Sequence, residues 1–299
     1  MAKRIKADLL LQPSLFETAK PPKAEPSARP YKHPHIFLGT SAFTAAGWRG
    51  TFYPTGMSSN EYLTYYASVF RTVEIDSTYY GTPAEATVTN WYRRTPADFI
   101  FAAKIPQIVT HTNLLVNCEA EFDEFLARMS LLKEKLGPLL FQFPHFSGHE
   151  FNGQDEFLHR LRVFLKRATE AGHFRYAVEI RNRTWLNARL TNLLGEHNVA
   201  LALTDHSFMP RPWEYKEKFD AITSDFTYVR WLGDRRAIEE LTRTWEKIIV
   251  DRRDDLLKWV DVFRQFSNKS QVYTYVNNHY AGSGPETISL FWQLLTANP

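Results

Sequence analysis

The fold class this sequence predicts is α/β, with eight parallel strands closing into a (β/α)8 barrel. Eight short, β-rich apolar runs recur along the chain, and stretches with apolar residues at three- and four-residue intervals alternate with them. Polar residues gather at or just after the ends of most of these runs. Alternation of this kind implies right-handed parallel crossovers, and eight of them close most simply into a barrel. A doubly wound open sheet is the alternative, but GTSAFTAAG, which follows the first run, does not form a G-x-G-x-x-G turn. With 299 residues and 44% hydrophobic content, the chain has apolar material for one large core.

The elements follow in order. Residues 1–34 hold Pro13, Pro21, Pro22, Pro26, Pro30 and Pro34 among lysines and alanines. That composition buries too little surface to offset its ordering entropy, so a flexible arm is expected, with the barrel domain at 35–299. IFLGT (36–40) is the first run, followed by helical periodicity at 61–70; TVEID (72–76) is the second, followed by a helix at 84–94. FIFAAK (99–104) leads to a helix at 119–136, LLFQF (139–143) to one at 154–171, and RYAVEI (175–180) to one at 185–197. After VALALT (199–204) the link 205–226 contains Pro210 and Pro212 and reads as a loop, so one outer helix is reduced between the sixth and seventh strands. TYVRW (227–231) precedes a helix at 241–266, and VYTYVN (272–277) precedes the last, at 285–295.

Charge and cysteine usage narrow the setting. The 36 basic and 33 acidic residues leave a formal charge of +3, too slight to establish a polyanionic partner. Cys118 is the sole cysteine, which excludes an internal disulfide or a CxxC metal knuckle and suits a reducing cytoplasm. No apolar run reaches the length of a membrane span, and LLL near the start is interrupted by Gln12 and Pro13 without a cleavage pattern, so a cytoplasmic protein is expected.

Seven segments, GTSAFTAAGWRGTFYP, FRTVEIDSTYYGTP, NWYRRTPADFIFAAKIPQIVTH, GPLLFQFP, AVEIRNRTW, YVRWLG and YTYVNNHYAG, occur in this order from about residue 36 to the C-terminus. Together they resemble the signature segments of the YecE-like proteins, called domain of unknown function 72. The resemblance implies a TIM barrel, in agreement with the alternation of runs and helices. It implies no reaction, since none is settled for the family. One departure stands out: where the family often shows Arg-x-His-Gly after the seventh strand, this chain has Arg230-Trp231-Leu232-Gly233.

In such barrels the active site gathers at the C-terminal ends of the strands. Glu74, Asp76, Lys104, Glu179, Arg181, Asp205 and Arg230 close successive runs and are the candidate catalytic residues. Glu74 and Asp76 stand two residues apart, about 7 Å on an extended chain, and repel by about 2 kcal/mol at an effective dielectric near 20. Lys104, on the neighbouring strand, is expected to reach between them, with Arg181 and Arg230 doing the same for Glu179. Glu179 or Glu74 is expected to transfer the proton while Lys104, Arg181 and Arg230 stabilise developing negative charge. An imine-forming role for Lys104 is the alternative, disfavoured beside two carboxylates. The competing structural reading is a salt-bridged plug at the barrel mouth.

Other constellations are less specific. Gly233, Arg235 and Arg236 after the seventh strand, with Asn278, Gly282, Ser283 and Gly284 after the eighth, suit a phosphate at a helix N-terminus, although ordinary loops use the same glycines. Trp48, Tyr79, Tyr80, Trp185 and Trp231 are candidates for stacking on sugars or unpaired bases. His111, His206 and His279, with Glu179 and Asp205, offer ligands for a divalent metal, but these residues stand in no H-x-H or HExxH spacing that would favour one. Ser41 lacks the G-x-S-x-G elbow of a Ser-His-Asp relay. In the arm, Gln12-Pro13-Ser14-Leu15-Phe16 resembles the Gln-x-Ser/Asp-Leu-Phe peptide with which bacterial DNA-processing proteins dock on the sliding clamp, Gln12, Leu15 and Phe16 making the contact. The expectation is therefore an enzyme acting on a phosphorylated or sugar-containing substrate, with nucleic acid as one form of it and a hydrolase or nuclease-like reaction in view. The alternatives are a sugar isomerase or glycosidase without a DNA link, and a non-catalytic nucleic-acid-binding module recruited to the clamp.

Overall fold

A computed structural model of the chain describes residues 29–297. Eight strands are present: β1 (Ile36–Thr40), β2 (Thr72–Ile75), β3 (Ile100–Lys104), β4 (Leu136–Gln142), β5 (Tyr176–Glu179), β6 (Ala200–His206), β7 (Phe226–Gly233) and β8 (Gln271–Val276). All pairings are parallel and run in the order β1-β8-β7-β6-β5-β4-β3-β2. The expected eight-stranded barrel is thus the observed architecture.

Closure between β1 and β2 uses a side chain. Among the described residues no ladder joins these strands; instead the buried Tyr66 hydroxyl accepts from the Thr40 amide at 2.8 Å and donates to the Thr72 carbonyl at 3.1 Å. Gly39 makes the approach sterically feasible, because a Cβ there would lie 2.0 Å from the Thr72 carbonyl oxygen. The phenol does across the seam what two ladder bonds do elsewhere.

The strand alternation sorts side chains into two cores. Facing the barrel axis, Phe37, Phe226, Tyr228, Tyr273 and Tyr275 from β1, β7 and β8 pack against Ala102, Ala177, Ala200 and Ala202 from β3, β5 and β6. Large rings on one side fill the space left by alanines on the other, as a barrel interior requires. The second core lies between sheet and helices and contains Val73, Phe101, Phe141, Val178, Leu203, Val229, Trp231 and Val272. It is covered by α1 (Tyr62–Val69), α2 (Glu85–Arg93), α3 (Glu119–Met129), α4 (Gly153–Glu170), α5 (Ala188–Glu196), α8 (Arg253–Ser267) and α9 (Gly284–Ala297).

Two local differences from the periodicity have physical causes, and a third feature matches the expectation. The stretch 119–136 is not one helix: after α3 the chain tightens into a 3-10 turn at Ser130–Lys135, where Lys133 adopts a positive φ of 51°. The stretch 241–266 is helical only from Arg253 onward, in α8: an irregular segment fills 242–252, and a separate short helix, α7 (Arg235–Leu241), precedes it. Backbone bonds from Trp245 to Ala46 and from Ile249 and Val250 to Ala281 hold that segment against the loops after β1 and β8. The reduced helix is α6 (Pro212–Tyr215), a single turn begun by proline, as the two prolines imply.

Residues 29–34, expected to belong to the arm, lie against the barrel. Arg29 pairs with Asp98, Tyr31 stacks on Phe70, and Arg71 donates to the His33 carbonyl. Among the described residues no helix is long and apolar enough to cross a membrane.

Candidate active site

At the C-terminal end of the barrel the inward positions turn from aromatic to charged. Glu74 on β2, Glu179 on β5 and Arg230 on β7 meet on the axis, each at most 1% exposed. Arg230 bridges the two carboxylates, with its terminal nitrogens 2.7 Å from Glu74 Oε1 and 2.7 Å from Glu179 Oε2. The remaining oxygens are also taken: the Tyr228 hydroxyl donates to Glu74 Oε2 at 2.6 Å, and Arg181 Nε donates to Glu179 Oε1 at 2.7 Å. Tyr228 and Arg230 share a face because they are two residues apart on one strand. Burial acts to raise the Glu179 carboxyl, but Arg181 and Arg230 outweigh it and hold it down to about 2. Burial opposes the Arg230 charge in turn, and Glu179 and Glu74 keep it well above its ordinary value.

Above this bridge lies a more exposed tier. Lys104 pairs with Asp76, whose side chain is 43% exposed. The Tyr79 ring stands 5.7 Å from the Lys104 ammonium, and the His111 ring meets Tyr79 edge-on at 5.0 Å. Thr78 fixes the turn after β2 with its buried hydroxyl, whose single proton is shared between the Ile75 and Lys104 carbonyls at 2.8 and 2.7 Å. Burial first, then Lys104 and Arg181, lowers His111 to about 4. Burial first, then Arg181, lowers His206 to about 4 against the opposing pull of Glu179 and Asp234. Both imidazoles are therefore neutral at pH 7. In formal charge the mouth is balanced, with Glu74, Asp76 and Glu179 against Lys104, Arg181 and Arg230.

The family model described as protein of unknown function DUF72 matches residues 37–299. The chain belongs to the DUF72 family. UPF0759 protein YecE of Escherichia coli (strain K12) is 24% identical over 247 residues, covering 76% of this chain and 83% of YecE. UPF0759 protein YunF of Bacillus subtilis (strain 168) is 30% identical over 158 residues, covering 51% of this chain and 52% of YunF. The crystal structure of a DUF72 family protein from Thermotoga maritima MSB8 matches 88% of this chain and 100% of its own, with 23% identity and a TM-score of 0.67. At that identity the likeness is one of fold, and it agrees with the barrel.

This DUF72 chain distributes its predicted site residues unevenly. Glu74, Asp76, Lys104, Glu179, Arg181 and Arg230 do converge, but the pairing differs from expectation: Lys104 reaches Asp76 alone, and Glu74 is neutralised by Arg230. Each oxygen of Glu74 and of Glu179 accepts from a fixed donor and both side chains are fully buried beneath the mouth, so the expected proton transfer finds no exposed carboxylate oxygen there. Asp205 is a correction. Thr204 and His206 take the inward positions of β6, and Asp205 points outward, accepting from Arg211 Nε at 2.8 Å, Trp259 Nε1 at 2.9 Å and the Tyr280 hydroxyl at 3.1 Å.

The expected phosphate cradle is also corrected. The Gly282 and Gly284 amides donate to the Asn278 carbonyl and side-chain oxygen, and Ser283 is buried. Gly282 and Gly233 serve close backbone approach, because a Cβ would lie 2.6 Å from the Lys247 carbonyl oxygen in the first case and 2.3 Å from that of His279 in the second. Arg235 and Arg236 lie on α7, paired one turn on with Glu239 and Glu240. Of the stacking candidates, Trp48 and Trp231 are core residues, Trp231 lying between Tyr280 and Phe291, and Trp185 packs parallel to Phe157. Tyr79 and Tyr80 remain at the mouth. His279 bonds to Asn277 and Glu239, apart from His111 and His206, and among the described residues no three His, Cys, Asp or Glu side chains gather to hold a metal ion. Gln12, Leu15 and Phe16 lie outside the described residues.

Sequence reasoning missed Tyr228, Phe208 and Arg211. Tyr228 carries a signal, the Tyr-x-Arg spacing that puts it beside Arg230. Phe208 and Arg211 carry none, since a loop has no fixed period.

Proposed function

We propose that the barrel mouth is the acid/base site of an enzyme acting on a small phosphorylated or sugar-containing substrate. The observation that carries this is the two-tier arrangement of cations. Arg230 is buried beneath with both terminal nitrogens engaged, while Arg181 and Lys104 stand nearer the open end with N–H groups beyond those used on Glu179 and Asp76. Those two cations suit an anionic oxygen, either a phosphate or the oxygen that receives an electron pair during proton transfer. Among the described residues, Asp76 is the mouth carboxylate bonded through one ion pair only, and its side chain is substantially exposed, so it takes the proton. The electron pair left on the substrate settles on an oxygen beside Lys104 and Arg181, and the same carboxyl returns the proton. Glu74 and Glu179 hold the cations in place.

A small molecule is favoured over nucleic acid because the basic pair Arg235 and Arg236 at the rim is matched by Glu239 and Glu240. Thermal stability measured with inorganic phosphate and a panel of sugar phosphates tests the proposal. A ligand at a hundred times its Kd stabilises the folded state by about 2.7 kcal/mol. Arg181→Ala and Lys104→Met are each expected to remove that gain. No stabilisation by any member of the panel, or undiminished stabilisation of both variants, would refute the site.

A further inference from the structure

We propose that His206 serves the mouth as a neutral hydrogen-bond donor, its proton fixed on Nε2 and directed at a substrate oxygen; the donor role rests on the proposed acid/base site, whereas the tautomer does not. The observation is one bond. The Phe208 backbone amide lies 3.2 Å from His206 Nδ1. An amide N–H donates and never accepts, so Nδ1 must present its lone pair, and a neutral imidazole then carries its proton on Nε2.

The loop that supplies this amide is held on both sides. The Met209 amide donates to the His206 carbonyl at 3.1 Å, and the Met209 side chain is buried. Arg211 then ties the far end to Asp205, the residue just before His206, and Trp259 and Tyr280 anchor that carboxylate from α8 and the β8 loop. The outward Asp205 and the inward His206 thus form one device, in which the first positions the loop and the loop selects the tautomer of the second.

The charged groups facing His206 are Arg181, Glu179, Asp234 and Arg230, and burial with Arg181 as the largest charge effect leaves the ring neutral at pH 7. Protonation would set an Nδ1–H against the Phe208 N–H. Among the described residues Nε2 has no partner. A ring in this state has one N–H to offer and no free lone pair, so it cannot serve as a base; it recognises an oxygen. Phe208, whose ring is 5.6 Å from that of His206 and which is 72% exposed, presents an apolar face beside the donor. An oxygen next to a C–H face is what a sugar ring offers.

Long-range 1H–15N correlation spectra of the full chain decide the tautomer, with His206 assigned by the signal missing in His206→Gln. The expected result at pH 7 is a protonated Nε2 and an unprotonated Nδ1. A protonated Nδ1, alone or together with Nε2, would overturn the inference. Inorganic phosphate then tests the donor role by titration calorimetry. His206→Ala is expected to weaken binding about tenfold, the worth of one hydrogen bond to a charged oxygen, and His206→Gln, which keeps an N–H near the same place, to retain it within about twofold. Equal binding by wild type and His206→Ala would overturn the donor role. Absence of phosphate binding by the wild type would overturn the anion site and the donor role together, while the spectrum still judges the tautomer.

Discussion

Replacing Arg230 by methionine removes the cation that Glu74 and Glu179 share. In the wild type the depression of Glu179 from 4.5 to about 2 corresponds to about 3 kcal/mol at 1.36 kcal/mol per pH unit. Because the folded value lies below the unfolded one, this stability is present above pH 4.5 and is lost as pH falls toward about 2. In the variant Glu179 keeps Arg181, but Glu74 keeps only the Tyr228 hydroxyl and is fully buried. Leaving a buried charge without its partner costs about 3–5 kcal/mol. At about 2–4 °C per kcal/mol for a domain of this order of size, the melting temperature falls by roughly 6–20 °C. The sign of the pH dependence reverses as well. Burial without a cationic partner penalises the ionised form of a carboxyl, so the loss in the variant is greater at higher pH. The assay is the melting temperature by circular dichroism at pH 5.5 and 8.0. The expected result is a large loss at both, greater at pH 8.0, and partial recovery in the triple variant E74Q/E179Q/R230M. A loss below about 3 °C, or one identical at the two pH values, would refute the account of Arg230 as the bridge.

Two further outcomes follow from the packing. Tyr66→Phe deletes the hydroxyl that spans the β1–β2 seam and leaves the buried Thr40 amide without an acceptor, at a cost of about 1–3 kcal/mol; amide hydrogen exchange at Thr40 should accelerate, and unchanged protection there would show that the seam is held otherwise. Asp205→Ala strips Arg211, Trp259 and Tyr280 of their shared acceptor and should destabilise by about 3–5 kcal/mol in urea unfolding, whereas unchanged stability would place Asp205 in the mouth after all.

What the sequence by itself determined was the architecture and the level of the site. Eight β-rich runs alternating with amphipathic stretches admit few topologies, and the polar residues that end those runs fall at one rim because parallel strands all point the same way. What it did not determine was which strand-end residues share an interior. VALAL (199–203) is apolar at every position, as suits a strand buried on both faces, so no alternation in it distinguishes the outward Asp205 from the inward His206. Nor does any local pattern say that Arg230 lies between Glu74 and Glu179, which are 156 and 51 residues away along the chain. Gly233 to Arg236 and the glycines after β8 read as a phosphate site, yet the segment between α7 and α8 takes up that space, and the carbonyl and side-chain oxygens of Asn278 take up the Gly282 and Gly284 amides. Periodicity and composition act over a few neighbouring residues and are legible as written. Side-chain direction at a strand end, ion pairing across the barrel and the occupancy of a loop are settled only when strands far apart in sequence are brought to within a few ångströms, and that closure is the work of the tertiary structure.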